Sequence, residues 1–143
     1  MSVPRFWRRL KNIYSLIGTQ CTKCGNFYYP PRGLCPKCRR SSATTAFKFS
    51  GGGEVFSYTI VHTGARDFAK LTPYILAIIK LDEGPMLTSQ VICSPKDIFI
   101  GMKVRTVFRK LGEESEKGMI YYGTKFVPDE SFKEEQIRKR VRE

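Results

Sequence analysis

Apolar positions in this chain change period twice. From Pro4 to Ile17, Phe6, Leu10, Ile13, Tyr14 and Ile17 recur at spacings of three and four, with Arg5, Arg8, Arg9, Lys11 and Asn12 mostly between them. That spacing predicts an amphipathic helix, with Pro4 at its start and Gly18 placed to end it. A β-rich remainder follows. Ala43 to Ser50 alternates in the manner of a strand, and Gly51, Gly52 and Gly53 mark a hinge. Four strand-like runs come next, at Glu54 to Thr63, Pro73 to Leu81, Pro85 to Cys93 and Lys103 to Leu111, and Gly118 to Val127 makes a fifth. Ser94 to Met102 interrupts them after the third as a turn or short helical piece. Five strands with that one interruption match the five-stranded OB barrel.

Between helix and barrel the apolar pattern gives way to Cys21-Thr22-Lys23-Cys24 and Cys35-Pro36-Lys37-Cys38. Each knuckle presents two sulfurs on a tight turn, and four thiolates complete a tetrahedron with no open position, the coordination of structural Zn²⁺. Iron in a rubredoxin-like four-sulfur site uses the same donors. A redox CxxC needs one pair in a thioredoxin-like βαβ setting, and neither condition holds. The expected order is therefore an N-terminal helix (1–18), a rubredoxin-like zinc ribbon (19–43), an OB barrel (44–128) and a charged tail (129–143). In the tail, Glu134 and Arg138, and Glu135 and Lys139, pair at i, i+4.

The 143 residues exclude a large multidomain enzyme, and no apolar run reaches the ~20 residues of a membrane helix. Asn12 and Ser15 interrupt the first apolar patch and no small-residue cleavage site follows, which argues against a signal peptide and for a reducing, cytoplasmic setting. The formal charge of +12 is uneven: all 13 acids lie at Glu54 or beyond, and ten of the 25 Lys and Arg lie before it. Part of that front-end positive charge balances the −2 of a metal held by four thiolates.

Support for catalysis is thin. His62 is the lone histidine and ends a strand without an evident carboxylate to orient it, and Cys93, between Ile92 and Ser94, reads as a small hydrophobe rather than a nucleophile. The helix says more. A ribbon this small cannot cover Phe6, Leu10, Ile13 and Ile17 together with Trp7, so the stripe packs on the barrel or on another chain.

The ordered set Phe6-Trp7, Leu16-Ile17-Gly18, CxxCG, Tyr29-Pro30-Pro31-Arg32 and CPxC, then Gly53-Glu54-Val55, Ser57-Tyr58-Thr59, Pro73-Tyr74, Leu81-Asp82-Glu83-Gly84, Gly101-Met102-Lys103-Val104 and Tyr122-Gly123-Thr124-Lys125-Phe126, resembles one family. It is similar to the zinc-ribbon/OB-fold proteins, long labelled a domain of unknown function, that are found beside thiolase-like enzymes of acyl-CoA metabolism. The resemblance implies a non-catalytic scaffold subunit that docks on thiolase-fold enzymes and helps bind or channel CoA thioesters. Its archaeal members imply a bridge between acetoacetyl-CoA thiolase and hydroxymethylglutaryl-CoA synthase at the start of the mevalonate pathway. Arg39 departs from the pattern, because many knuckles carry Gly after the second cysteine.

A CoA binder needs cations near an opening and apolar or aromatic walls. OB barrels place ligands beside the loops after their first and fourth strands, which points to Arg66, Phe68 and Lys70 with Tyr58, Tyr74, Tyr122 and Lys125 nearby. The competing reading is a nucleic-acid-binding protein, since ribbons, OB barrels and strong positive charge also occur together in that class.

Overall fold

The fold is a computed structural model that describes residues 3–64, 71–113, 118 and 120–129. Helix α1 spans Val3–Tyr14 and is followed by β1 (Ile17–Cys21), β2 (Phe27–Tyr28) and β3 (Thr44–Lys48). These three strands form one antiparallel sheet in the order β2-β1-β3. Then come β4 (Gly52–Val61), β5 (Tyr74–Leu81), β6 (Met86–Val91), β7 (Lys103–Glu113) and β8 (Ile120–Pro128). They close a barrel in the order β4-β5-β6-β8-β7, with β7 pairing back to β4. Every neighbouring pair is antiparallel except β6 and β8, which meet in parallel at Val91 and Phe126. This is an OB barrel, and among the described residues no helix is long and apolar enough to cross a membrane.

Alternation fills the barrel. On β5, Ile75, Ala77, Ile79 and Leu81 are buried, and they meet Val55, Val91, Val104 and Phe126 from the other strands. The segment after β6 turns through Asp97 N–H to Ser94 O (2.9 Å) and sends Ile98 and Met102 into the same core. Phe49, 3% exposed, belongs to this core yet sits just beyond β3, where it meets Phe47, Tyr29 and Phe27 at ring-centroid distances of 5.3, 6.0 and 6.3 Å. Ribbon and barrel thus share one apolar core through a cluster of aromatic rings, each such contact adding about 0.5–1.5 kcal/mol beyond simple burial.

Three expectations change. The helix ends at Tyr14, not Ile17: Leu16 takes the left-handed conformation (φ 49°), and Ile17 starts β1. The strain on Leu16 is offset because its side chain is buried and its carbonyl accepts Phe49 N–H (3.1 Å). Gly18 lies inside β1, where a Cβ would strike Tyr28 O and the Phe49 ring. The glycine triplet is a tight crossing rather than a hinge, because side chains at Gly51 and Gly53 would strike Thr106 Oγ1 and Lys80 O. Finally, β3, expected within the barrel segment, belongs to the ribbon sheet.

The helix stripe divides. Ile13 and Leu111 fill the space over Gly123, the Ile13 carbonyl accepts Thr124 Oγ1–H (2.9 Å), and Tyr14 meets Phe108 edge-on at 4.9 Å. Leu10 is half-buried, whereas Trp7 is 67% exposed. The side chain of Phe6 and the tail pairs at 134–139 lie outside the described residues.

A four-cysteine metal site and the aromatic face of the barrel

The first knuckle closes where β1 ends: Gly25 N–H donates to Cys21 O (3.0 Å) and Cys21 N–H to Asn26 O (2.9 Å). The second repeats the turn, with Arg39 N–H on Cys35 O at 2.7 Å. Both residues after the knuckles are left-handed, Gly25 at φ 70° and Arg39 at φ 50°. Arg39 therefore reaches the glycine geometry at a cost of about 1–2 kcal/mol for its β-carbon.

The turns bring the sulfurs of Cys21, Cys24, Cys35 and Cys38 to within 4.8 Å of one another, with Cys24 and Cys35 at 3.6 Å. Cys38 N–H donates to Cys35 Sγ (3.4 Å), and the Tyr28 hydroxyl lies 3.3 Å from the same sulfur. The backbone N–H of Cys24 does most to pull the Cys21 thiol down to about 6. The Tyr28 hydrogen bond does most to lower Cys35, and the same contact does most to raise Tyr28. Burial and then the other three sulfurs push Cys38 up to about 12. Crowded sulfurs cannot all ionise against one another, and a dication at their centre removes the conflict. Arg32 stands 5.8 Å over the Tyr28 ring, and Arg32 N–H donates to Thr19 Oγ1 (3.1 Å), which packs the loop between the knuckles against β1.

Of the residues expected to hold CoA, Tyr58, Tyr74, Tyr122 and Lys125 lie within the described residues. Arg66, Phe68 and Lys70 lie outside the described residues. Tyr58 pairs with buried Ala77 and so has the parity of the core, though it is 37% exposed, whereas Tyr74 pairs with Val61 on the outward parity. Tyr122 and Lys125 are three apart on β8 and point to opposite faces. Lys125 is 8% exposed, and burial lowers its pKa. His62 is exposed at the end of β4, and Cys93 is packed against the core.

One feature escaped the sequence reading. Phe108 stacks on Tyr122 with centroids 5.4 Å apart and planes 10° from parallel, although the rings are 51% and 37% exposed. The stack follows from register: Phe108 pairs with Thr124 and Lys110 with Tyr122, so Phe108 and Tyr122 are diagonal neighbours on one face. No local signal announces a diagonal. Beside it, a cleft of about 270 Å³ between the end of α1, the end of β3 and the β7–β8 hairpin is lined by Tyr14, Lys48, Ser50, Thr106, Phe108 and Thr124 among others.

Comparison with known proteins agrees with this architecture. The family model of the ChsH2 rubredoxin-like zinc ribbon domain matches residues 9–44, and that of the ChsH2 C-terminal OB-fold domain matches residues 48–109. A DUF35 domain-containing scaffold protein of Methanocaldococcus jannaschii is 47% identical over 130 residues, covering 90% of this chain and 92% of that protein. A probable enoyl-CoA hydratase alpha subunit of Thermomonospora curvata is 30% identical over 100 residues, which is 69% of this chain but 31% of that protein. Among solved structures, the Ltp2-ChsH2(DUF35) aldolase superposes with a TM-score of 0.66 at 26% identity, covering 86% of this chain and 90% of that one.

Proposed function

This chain belongs to the DUF35 family of zinc-ribbon/OB-fold scaffold proteins, and from that premise we propose that it is a non-catalytic subunit docking on thiolase-fold enzymes and helping to bind or channel acyl-CoA. The enzymes in this reading are acetoacetyl-CoA thiolase and hydroxymethylglutaryl-CoA synthase of the mevalonate pathway. The observation that carries it is Trp7, two-thirds exposed on a helix whose other end is fastened to the barrel through Ile13, Tyr14 and Thr124. A helix fastened to the barrel at its C-terminal end that leaves a tryptophan and Arg8, Arg9 and Lys11 in solvent is a docking element, with an aromatic anchor and a basic rim. The names of the relatives support the same reading, scaffold in one case, and in others a chain that accompanies an aldolase or forms part of a hydratase subunit.

The metal in this account is Zn²⁺ with a structural task, because four sulfurs leave it no position for water or substrate. One zinc per chain by metal analysis is expected, and a coloured iron protein would overturn that assignment. Arg66, Phe68 and Lys70 belong to the same proposal as the basic and aromatic edge of the first barrel loop.

Work is divided accordingly. The enzymes form and break bonds, while the scaffold holds their active sites around one pool of intermediate. Raising its effective concentration lets a favourable second condensation draw an unfavourable first one forward. Size-exclusion chromatography of this chain mixed with the two purified enzymes tests the proposal. Co-elution of all three is expected, and separate elution at micromolar concentration would overturn it.

A further inference from the structure

We propose that the Phe108–Tyr122 stack is a platform for one nucleotide base, and that it holds the adenine nucleotide end of a CoA ligand; for the identity of that ligand, the inference rests on the acyl-CoA reading above. The two rings are parallel within 10°, and both remain more than one-third exposed. Phe108 is the middle ring of three. It meets Tyr14 edge-on and Tyr122 face to face, and in the proposal the base takes the far face of Tyr122, a ring 37% exposed. The Tyr14 contact already fastens the helix to this hairpin. Tyr122 offers a flat ring backed by Phe108, the surface a planar base requires.

Charge around the platform favours an anionic ligand. Lys110 is the cross-strand partner of Tyr122 and therefore shares its face, and Lys48 lines the adjoining cleft. That cleft of about 270 Å³ begins at Phe108 and Tyr14 and runs to Ser50 and Gly51 past the hydroxyl-bearing Thr106 and Thr124. It lies at the C-terminal end of α1, whose dipole disfavours a phosphate deep inside but not a neutral chain. A base on Tyr122, phosphates toward Lys48 and Lys110, and a slender amide-bearing arm in the cleft place each part of the ligand against matching chemistry.

A single-stranded nucleic acid requires successive rings along a groove. Among the described residues of this hairpin the stack presents one outer face, which suits one base.

Calorimetric titration of the full chain with adenosine bisphosphate, the nucleotide end of CoA, tests the platform. Native protein is expected to bind it. Tyr122→Ala should weaken binding about tenfold or more, the loss of one base–aromatic stack, and Tyr122→Phe should keep it within about twofold. Phe108→Leu provides a second variant that removes the backing ring, and melting curves report that each variant is folded. Equal affinity in Tyr122→Ala, or no binding by the native chain, overturns the platform, and CoA retained by that variant would leave the acyl-CoA reading standing with its nucleotide elsewhere. Binding of adenosine bisphosphate through Tyr122, with no CoA bound even in the presence of the partner enzymes, overturns the acyl-CoA reading and leaves the platform. An oligonucleotide held more tightly than the mononucleotide through the same ring overturns the assignment to CoA in favour of nucleic acid.

Discussion

In the barrel, Val55, Ile75, Ile79, Leu81, Val104 and Phe126 are each at most 2% exposed, whereas between residues 19 and 43 the fully covered side chains are those of Cys21 and Cys35. One region is held by apolar volume drawn from five strands. The other has four sulfurs and a rim of aromatics, and it borrows the rest of its core across the junction at Phe49. A compact barrel can leave parts of its surface to other tasks, whereas a ribbon of this size depends on its metal. The helix that leaves Trp7 in solvent, the docking element of the proposal, is fastened to the barrel and not to the metal-bearing knuckles.

Metal removal is the strongest way to break the comparison. Stripping the ion with a chelator is expected to remove on the order of 10 kcal/mol from the ribbon. Circular dichroism in the aromatic region should collapse, because Phe27, Tyr29 and Phe47 lose their frame around Phe49. An unchanged spectrum and melting temperature would mean that the ribbon holds without metal. Next in size, Ile79→Ala should cost about 2–5 kcal/mol by leaving a cavity in the barrel, with the zinc content of the folded fraction unchanged. Metal lost together with that substitution would show that the two regions are not separately held.

Arg39→Gly sharpens the comparison within the ribbon. Relief of the left-handed β-carbon, reduced by the extra chain entropy of glycine, should stabilise the metal-loaded protein by up to about 1 kcal/mol, read as a higher chelator concentration at the midpoint. The smallest expected effect lies in the barrel. Burial lowers the pKa of Lys125 below 10.5, so between its folded pKa and 10.5 the unfolded chain binds more protons and stability rises with pH. Lys125→Met should abolish that alkaline rise in thermal melts and raise the melting temperature at neutral pH.

Spacing made the metal site legible, because two CxxC pairs restrict their own turns wherever the chain runs. Alternation made the five barrel strands legible within a residue or two at most ends. The end of α1 was hidden because Ile17 continues the helical spacing in sequence while Leu16 turns the backbone left-handed. Only the covered position of Leu16 explains why, and burial is a tertiary fact. Gly51 to Gly53 carried a true signal with a wrong meaning, since missing side chains suit a tight crossing as well as a flexible joint. The parallel closure at Val91 and Phe126 and the diagonal between Phe108 and Tyr122 depend on register between distant segments, which periodicity does not encode. Tyr122 and Lys125 lie on opposite faces for a simpler reason, the alternation of a single strand on which they stand three apart.

The scaffold account turns on the exposed end of α1. The affinity of zinc-loaded chain for the purified thiolase, measured by calorimetry for native protein and for Trp7→Ala, tests it most directly. Binding weakened at least about tenfold, with the melting temperature of the variant unchanged, is the result the account predicts. Equal affinity of the two proteins, or no binding by either, would contradict it.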